Sequence, residues 1–271
     1  MKKITLLLLS LLLAAPAYAD LTTNIKAYWN LSEASGTRND SAGVSNLHLT
    51  DNNTVTQAAG PGSNNAAQFT AANSESLSRG HESALNFGDI DFTITAWAYL
   101  ADKSATYTIV AKYEGASDDR EYLIRYNSSS DRFEAYISPD GTSGSQVNVV
   151  ANNLGSPSAT TWYFLTLQYD ATANLMYISA NAGTQDSASE TGGAFAGVVE
   201  AFAIGARALT GTPTEYLNGR VALVGMWSRK LSGAEITQLY NSGSGCTYAE
   251  LTTTCAGGGA SSQLRRRVLV Y

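Results

Sequence analysis

The sequence predicts an all-β protein, two antiparallel sheets stacked as a sandwich, with one short helix near the C-terminus. Three observations carry this. Segments with a period of two recur along the chain, clusters of Gly, Asn, Asp and Ser separate them, and a single stretch has the caps and stripe of a helix. Composition agrees with this class. Hydrophobic residues make up 44% of the 271, enough for a sizeable core, and charged residues only 15%, below the usual quarter.

The first segment, 1–19, reads as a signal peptide. Lys2 and Lys3 form a basic start, Ile4 to Leu13 an almost unbroken apolar run, and Ala17-Tyr18-Ala19 a small-residue cleavage site before Asp20. About ten apolar residues are too few to span a bilayer, which needs roughly 20. The expected location is therefore outside the cytoplasm of a bacterium: secreted, periplasmic or on the cell surface.

Residues 20–245 read as one domain, and the strands within it follow from alternation. Along 91–99, Phe92, Ile94, Ala96 and Ala98 fall on one face and Thr93, Thr95, Trp97 and Tyr99 on the other. The same period marks 121–127, 131–138, 162–169, 175–181 and 220–228. Ser128-Ser129-Ser130 joins one pair of these as a hairpin, and Asp170-Ala171-Thr172-Ala173 joins another. Several faces are apolar on both sides, as expected of stacked sheets with one outer face covered.

The helix begins at Leu231. Ser232 and Glu235 have the spacing of a capping box, with Leu231 and Ile236 placed as a hydrophobic staple. Ile236, Leu239 and Tyr240 form the apolar stripe, and Gly243 is the expected stop. Beyond it, 246–271 reads as a short loop closed by a Cys246–Cys255 disulfide, followed by a flexible basic tail. The pairing is the default for two neighbouring cysteines in an oxidising compartment. The tail combines a Gly-rich linker with Arg265, Arg266 and Arg267.

Four pieces in this order resemble the laminin-G-like jelly-roll domains of the concanavalin A-like lectin/glucanase superfamily. They are Tyr28-Trp29-Asn30-Leu31-Ser32-Glu33-Ala34-Ser35-Gly36-Thr37 with the Asp40-Ser41-Ala42-Gly43 turn, Phe92 to Trp97, Trp162 to Asp170, and Leu217 to Ser232 with Glu235-Ile236. The resemblance implies a two-sheet antiparallel jelly-roll sandwich with its first and last strands adjacent. It also implies calcium near the opening segment, with Glu33, Asp40 and Asn46 as candidate ligands. The closing strand departs from the family pattern, because Gly219-Arg220-Val221-Ala222 lacks an acidic pair found in many relatives.

Such a fold hosts lectins, adhesion domains, hydrolases and lyases alike, so function has to come from a site. An acidic chain, with 17 Lys+Arg against 23 Asp+Glu and no basic cluster in its body, is a poor nucleic-acid binder. Two His and two Cys do not build a standard zinc site. Glycoside hydrolysis needs two carboxylates converging on one cleft, and no Glu-x-Asp-x-x-Glu string occurs. Asp89 and Asp91 sit at a strand entrance, Asp118, Asp119 and Glu121 surround Arg120 in an expected loop, and Asp131 and Glu134 point apart; all read as solvated. His48 and His81 lack the Arg or Gln companions of a lyase base. A non-enzyme is expected.

Sugar recognition uses aromatic platforms edged by planar polar groups, and 15 Tyr and four Trp supply the material. Trp29, Trp162 and Trp227 read as core. Trp97 and Tyr99 share a polar-flanked face and are candidates for the floor of a groove, with Tyr107, Tyr113, Tyr122 and Tyr126 in the segments that follow. The expected function is a non-catalytic module that binds a glycan or an extracellular surface protein, with a divergent polysaccharide hydrolase or lyase, or a structural surface component, as alternatives. The cleavage reading is checked by N-terminal sequencing of protein from the native host. The mature chain should begin at Asp20, and an intact Met1 refutes export.

Overall fold

The computed structural model describes residues 20–208, 211–253 and 255; the 1–19 segment expected to be a signal peptide and the arginine tail lie outside them. Fifteen strands form two antiparallel sheets. One sheet has eight strands, ordered β13 (Asp186–Ser189), β12 (Leu175–Ala180), β11 (Trp162–Asp170), β6 (Phe92–Leu100), β15 (Gly219–Trp227), β4 (Asn65–Phe69) and β3 (Thr56–Ala59), with β1 (Ile25–Trp29) also paired to β15. The other has seven: β10 (Val147–Val150), β9 (Arg132–Gly141), β8 (Asp119–Asn127), β7 (Tyr107–Glu114), β14 (Phe202–Ile204), β5 (Ser76–Arg79) and β2 (Thr50–Asn52). The whole is a jelly-roll sandwich whose first and last strands are neighbours.

Alternation decides what lies between the sheets. Phe92, Ile94, Ala96 and Ala98 of β6 and Tyr163, Leu165, Leu167 and Tyr169 of β11 meet Tyr122, Ile124 and Tyr126 of β8 in one core. Trp29 bridges the layers, stacked 4.9 Å from Phe202, and its ring nitrogen donates to the Leu47 carbonyl at 2.7 Å. Both expected hairpins form, β8–β9 with Asn127 opposite Arg132 and β11–β12 with Asp170 opposite Leu175.

Strand β15 carries an irregularity that alternation alone does not foresee. Its register against β6 shifts between Ala222 and Gly225, and Leu223 has a positive φ of 51°. The extra residue lets Val221 and Val224, three apart, both face the core while Ala222 and Leu223 both face outward. On one side of the bulge β15 pairs with β4, on the other with β1.

A second apolar layer covers the β1 half of this sheet from outside. Leu21, Tyr28, Trp97, Phe164, Trp227, Leu231, Ile236, Leu239, Leu251 and the Cys246–Cys255 disulfide pack together there. Trp227 donates its ring N–H to the Leu21 carbonyl at 2.7 Å, and the Tyr28 hydroxyl donates to the Cys246 carbonyl. The 246–255 segment is thus part of the outer layer rather than an appended loop. Gly225 is required here, because a Cβ at that position would lie 2.4 Å from the Trp227 ring.

The helix, α1 (Gly233–Tyr240), starts as expected. Ser232 accepts from the Glu235 amide and the Glu235 carboxylate accepts from the Ser232 amide, completing the capping box. It stops earlier than Gly243. Asn241, at φ 45° and ψ 51°, takes the left-handed cap position, a conformation asparagine tolerates better than most residues. Ser232→Ala removes the cap and should lower stability by about 1 kcal/mol in a denaturant titration. An unchanged midpoint contradicts the capping role.

Candidate functional site

Only part of each outer face is open. On the eight-stranded sheet, the outward positions are Trp162, Phe164, Thr166 and Gln168 of β11 and Tyr99, Trp97, Thr95 and Thr93 of β6. The middle of this face is sealed. Trp97 stacks on Tyr240 of α1 at 5.7 Å and packs against Phe164 at 5.4 Å. Gly245, at φ +71°, brings the returning chain so close that a Cβ would lie 2.8 Å from the Trp97 ring nitrogen.

Beyond that cover, one row of outward side chains remains accessible. Trp162 is opposite Tyr99, Tyr99 opposite Arg220, Arg220 opposite Gln68, and Gln68 opposite Thr56. The row therefore crosses five neighbouring strands at about 4.8 Å each, roughly 19 Å in all. None of its members is buried. The two rings lie 5.4 Å apart, the Arg220 guanidinium sits 4.8 Å over the Tyr99 ring, and its Nε donates to Gln68 Oε1 at 2.9 Å. Each planar group is braced by the next, which leaves a preorganised surface.

A cleft of about 440 Å³ lies on the other side of α1, lined by Gln168, Ser179, Gln185, Lys230, Ser232 and Glu235 among others. Its polar groups are largely used internally. Gln168 donates to Thr93 and to the Leu231 carbonyl and accepts from Gln185, while Lys230 donates to Asp170 at 3.0 Å.

The outer face of the seven-stranded sheet carries a charge network. Arg125 lies between Glu215 at 3.1 Å and Glu134 at 3.4 Å, with its guanidinium 4.7 Å from the Tyr136 ring. Arg207 adds a second pair to Glu215 at 2.9 Å. Burial pushes the Glu134 carboxyl up, but hydrogen bonds from Asn127, Ser130 and Tyr136 and the charge of Arg125 outweigh it and hold Glu134 below its ordinary range. Such a group stays ionised and is unsuited to donate a proton. The carboxyl groups held high are elsewhere. Burial pushes Glu121 up to about 8 against the opposing pull of Lys112, and burial also raises Glu190; both side chains are inaccessible.

Asp119, Glu121 and Glu134 are thus not solvated, as the sequence suggested, but buried. Asp119 and Glu121 begin β8 instead of occupying a loop. There Lys112 donates to Glu121 within the protein, and Asp119 accepts from the Val199 and Glu200 amides. Their oxygens accept from main-chain amides of the 194–200 segment and so seal the end of the sandwich.

The six aromatic candidates separate sharply. Trp97, Tyr107, Tyr122 and Tyr126 are buried, which places them beyond contact with a surface ligand. Tyr113 lies on the open face of the seven-stranded sheet, nearly covered by Arg120 and Arg207. Tyr99 alone joins an accessible platform. Trp162, expected in the core, stands partly exposed beside it, and sequence reasoning also missed Arg220 and Gln68. Alternation counted from the core residues Val221 and Phe69 places Arg220 and Gln68 on the outer face, but which strands are neighbours is not written in any one segment.

Of the residues proposed for calcium, Asp40 is already committed to the main chain. Asp40 Oδ1 accepts from the Tyr28 and Ala42 amides at 3.1 and 3.0 Å, and Oδ2 from the Leu47 amide at 3.2 Å. Glu33 Oε1 accepts from both nitrogens of Asn39, and Asn46 holds a left-handed turn at φ 52°. Calcium requires six to eight converging oxygens, whereas both Asp40 oxygens are taken by main-chain N–H groups; Glu33 Oε2 is buried without a hydrogen-bond partner among the described residues.

A family model of the laminin-G-like type, described as the concanavalin A-like lectin/glucanases superfamily, matches residues 61–237. No curated protein matches the chain. Among solved structures, the binding domain of Paraclostridial Mosquitocidal Protein 1 is similar at a TM-score of 0.62 and 15% identity, over 82% of this chain and 53% of that one. The botulinum neurotoxin serotype D binding domain gives 0.58 and 12%, over 82% and 52%. The chain thus spans about half the length of these toxin domains. Domain 4 of AbnA, a GH43 extracellular arabinanase from Geobacillus stearothermophilus in complex with arabinotriose, gives 0.56 and 14%, over 79% of this chain and 97% of that one. Identities this low establish a shared fold only.

The role of Asp40 as a main-chain acceptor is directly measurable. Asp40→Ala should destabilise the protein by about 1–3 kcal/mol, the cost of buried amides left without a partner. The loss should be the same in EDTA and in millimolar calcium, and a melting temperature raised by calcium only in the parent protein refutes this assignment.

Proposed function

Since the chain belongs to the concanavalin A-like lectin/glucanase superfamily, in its laminin-G-like branch, we propose that it is a secreted, non-catalytic module that binds an extracellular glycan. The single observation that carries this reading is the row Trp162–Tyr99–Arg220–Gln68, aromatic faces continued by planar hydrogen-bonding groups on one accessible surface. Sugar rings present C–H faces that pack on aromatic rings and hydroxyls that pair with amide and guanidinium groups at the edges. The distribution of carboxyl groups supports binding without turnover. Those held high are enclosed, and those on the open face, Glu134 and Glu215, are neutralised by Arg125 and Arg207.

The similar structures agree with such a role, since the toxin domains are named as binding domains and the arabinanase domain was solved with arabinotriose bound. Export, required for contact with an extracellular glycan, rests on the 1–19 segment.

A glycan array followed by calorimetry with the oligosaccharides that bind, arabinotriose included, tests the reading. Trp162→Ala should weaken binding roughly tenfold, about 1.4 kcal/mol, with the melting temperature little changed. An array without a hit, or affinity indifferent to Trp162, defeats it.

A further inference from the structure

The row has a chemical polarity of its own. Arg220 uses Nε on Gln68 and Nη1 on the Ala59 carbonyl at 3.1 Å, which leaves Nη2 without an acceptor among the described residues. Gln68 accepts through Oε1, which leaves its amide N–H groups free. The Trp162 ring nitrogen, the Tyr99 hydroxyl and the Thr56 hydroxyl also have no hydrogen-bond partner among the described residues. Every member of the row can donate, and no carboxylate belongs to it. The next outward positions on the same strands are Phe164, Trp97, Ala222 and Ala66, all uncharged and covered. At the strand ends Asp102 is already engaged. Burial pushes its carboxyl up, yet hydrogen bonds from Tyr107, Ser104 and Asn218 hold it well below the usual range.

The guanidinium is also fixed in place. Stacking on Tyr99 and two hydrogen bonds set its plane, so little side-chain freedom remains to be lost when an acceptor arrives. An arginine held this way beside a free amide matches a planar anion in geometry as well as charge. One strand spacing, about 4.8 Å, separates it from the stacking ring, a reach comparable to the width of one pyranose.

Resting on the glycan reading above, we propose that this row recognises acidic polysaccharides, with a hexuronate ring on Trp162 and Tyr99 and its carboxylate on Arg220 Nη2 and the Gln68 amide. The chain as a whole is acidic, at a formal charge of −6, so selectivity comes from this local donor set and not from the overall field of the protein.

The probes are oligogalacturonate and its methyl ester, which differ in the carboxylate charge and one methyl group per residue, together with oligomannuronate and a neutral panel of arabino- and galacto-oligosaccharides. The free acid should bind at least about tenfold more tightly than the ester, as expected for a charge-assisted pair. Arg220→Gln should abolish that difference, weakening the acid far more than the ester, and Gln68→Ala should reduce it in part. Trp162→Ala should weaken acid and ester alike. Melting curves accompany each variant, and Gln68→Ala carries the test if Arg220→Gln does not fold. Equal affinity for acid and ester, discrimination that survives Arg220→Gln, or no binding of either uronate overturns the inference. If neutral oligosaccharides then still bind in a Trp162-dependent way, the glycan reading stands without it; if nothing in the panel binds, both fall.

Discussion

The architecture of the open outer face depends on one backbone constraint, the bulge at Leu223 in β15. This strand runs beside β6 for its whole length but changes partner on its other edge, from β4 to β1. Without the extra residue, Val221 and Val224 could not both enter the core, and one edge would lose its apolar partners. The switch also divides the outer face. On the β1 side, Tyr28 and Trp227 draw in the N-terminal segment, α1 and the disulfide. On the β4 side Arg220 and Gln68 stay partly exposed among the described residues. The covered half braces the open half, because Trp97 lies two residues from Tyr99 on the same strand and cannot shift under Tyr240.

Charge is distributed by the same logic. Groups that would be costly to bury are paired inside the sandwich end, where Lys112 meets Glu121 and Lys26 donates to the Ala84 and Asn86 carbonyls. Such pairs are neutral or unfavourable for stability relative to apolar packing. Their use here is to fasten the 194–200 segment, whose Gly197 amide donates to Glu121 at 3.0 Å. Gly197 has no room for a side chain, since a Cβ would fall 1.6 Å from Asp119 Oδ1. A carboxylate with a high pKa is often read as a sign of catalysis; in this protein it marks an enclosed structural joint.

Much of the fold was legible in the sequence because its determinants are local. Alternation gave the long strands, Ser and Asp clusters the two hairpins, Ser232 and Glu235 the helix entry, and cysteine proximity the disulfide. The site was legible only in fragments. Its members at 56, 68, 99, 162 and 220 belong to five strands brought together by non-local pairing, and no segment holds two of them. Trp97 and Tyr99 have the same alternation and similar neighbours, yet a helix more than 130 residues later buries one and spares the other. Trp162 misled for the mirror reason: apolar residues occupy both faces of β11, so the sequence offers no choice between inside and outside. Asp40 looked like a metal ligand because turn-forming and cation-binding carboxylates share the same surroundings of Asn, Ser and Gly.

The uneven burial of the four tryptophans has an optical consequence. Trp29, Trp97 and Trp227 are buried, while Trp162 is partly exposed at one end of the row. Emission at longer wavelengths, and quenching by a dissolved collider such as iodide, therefore belongs mainly to one indole. The protein carries a natural fluorophore at the place where an incoming molecule would rest, and its spectrum reports occupancy without a label.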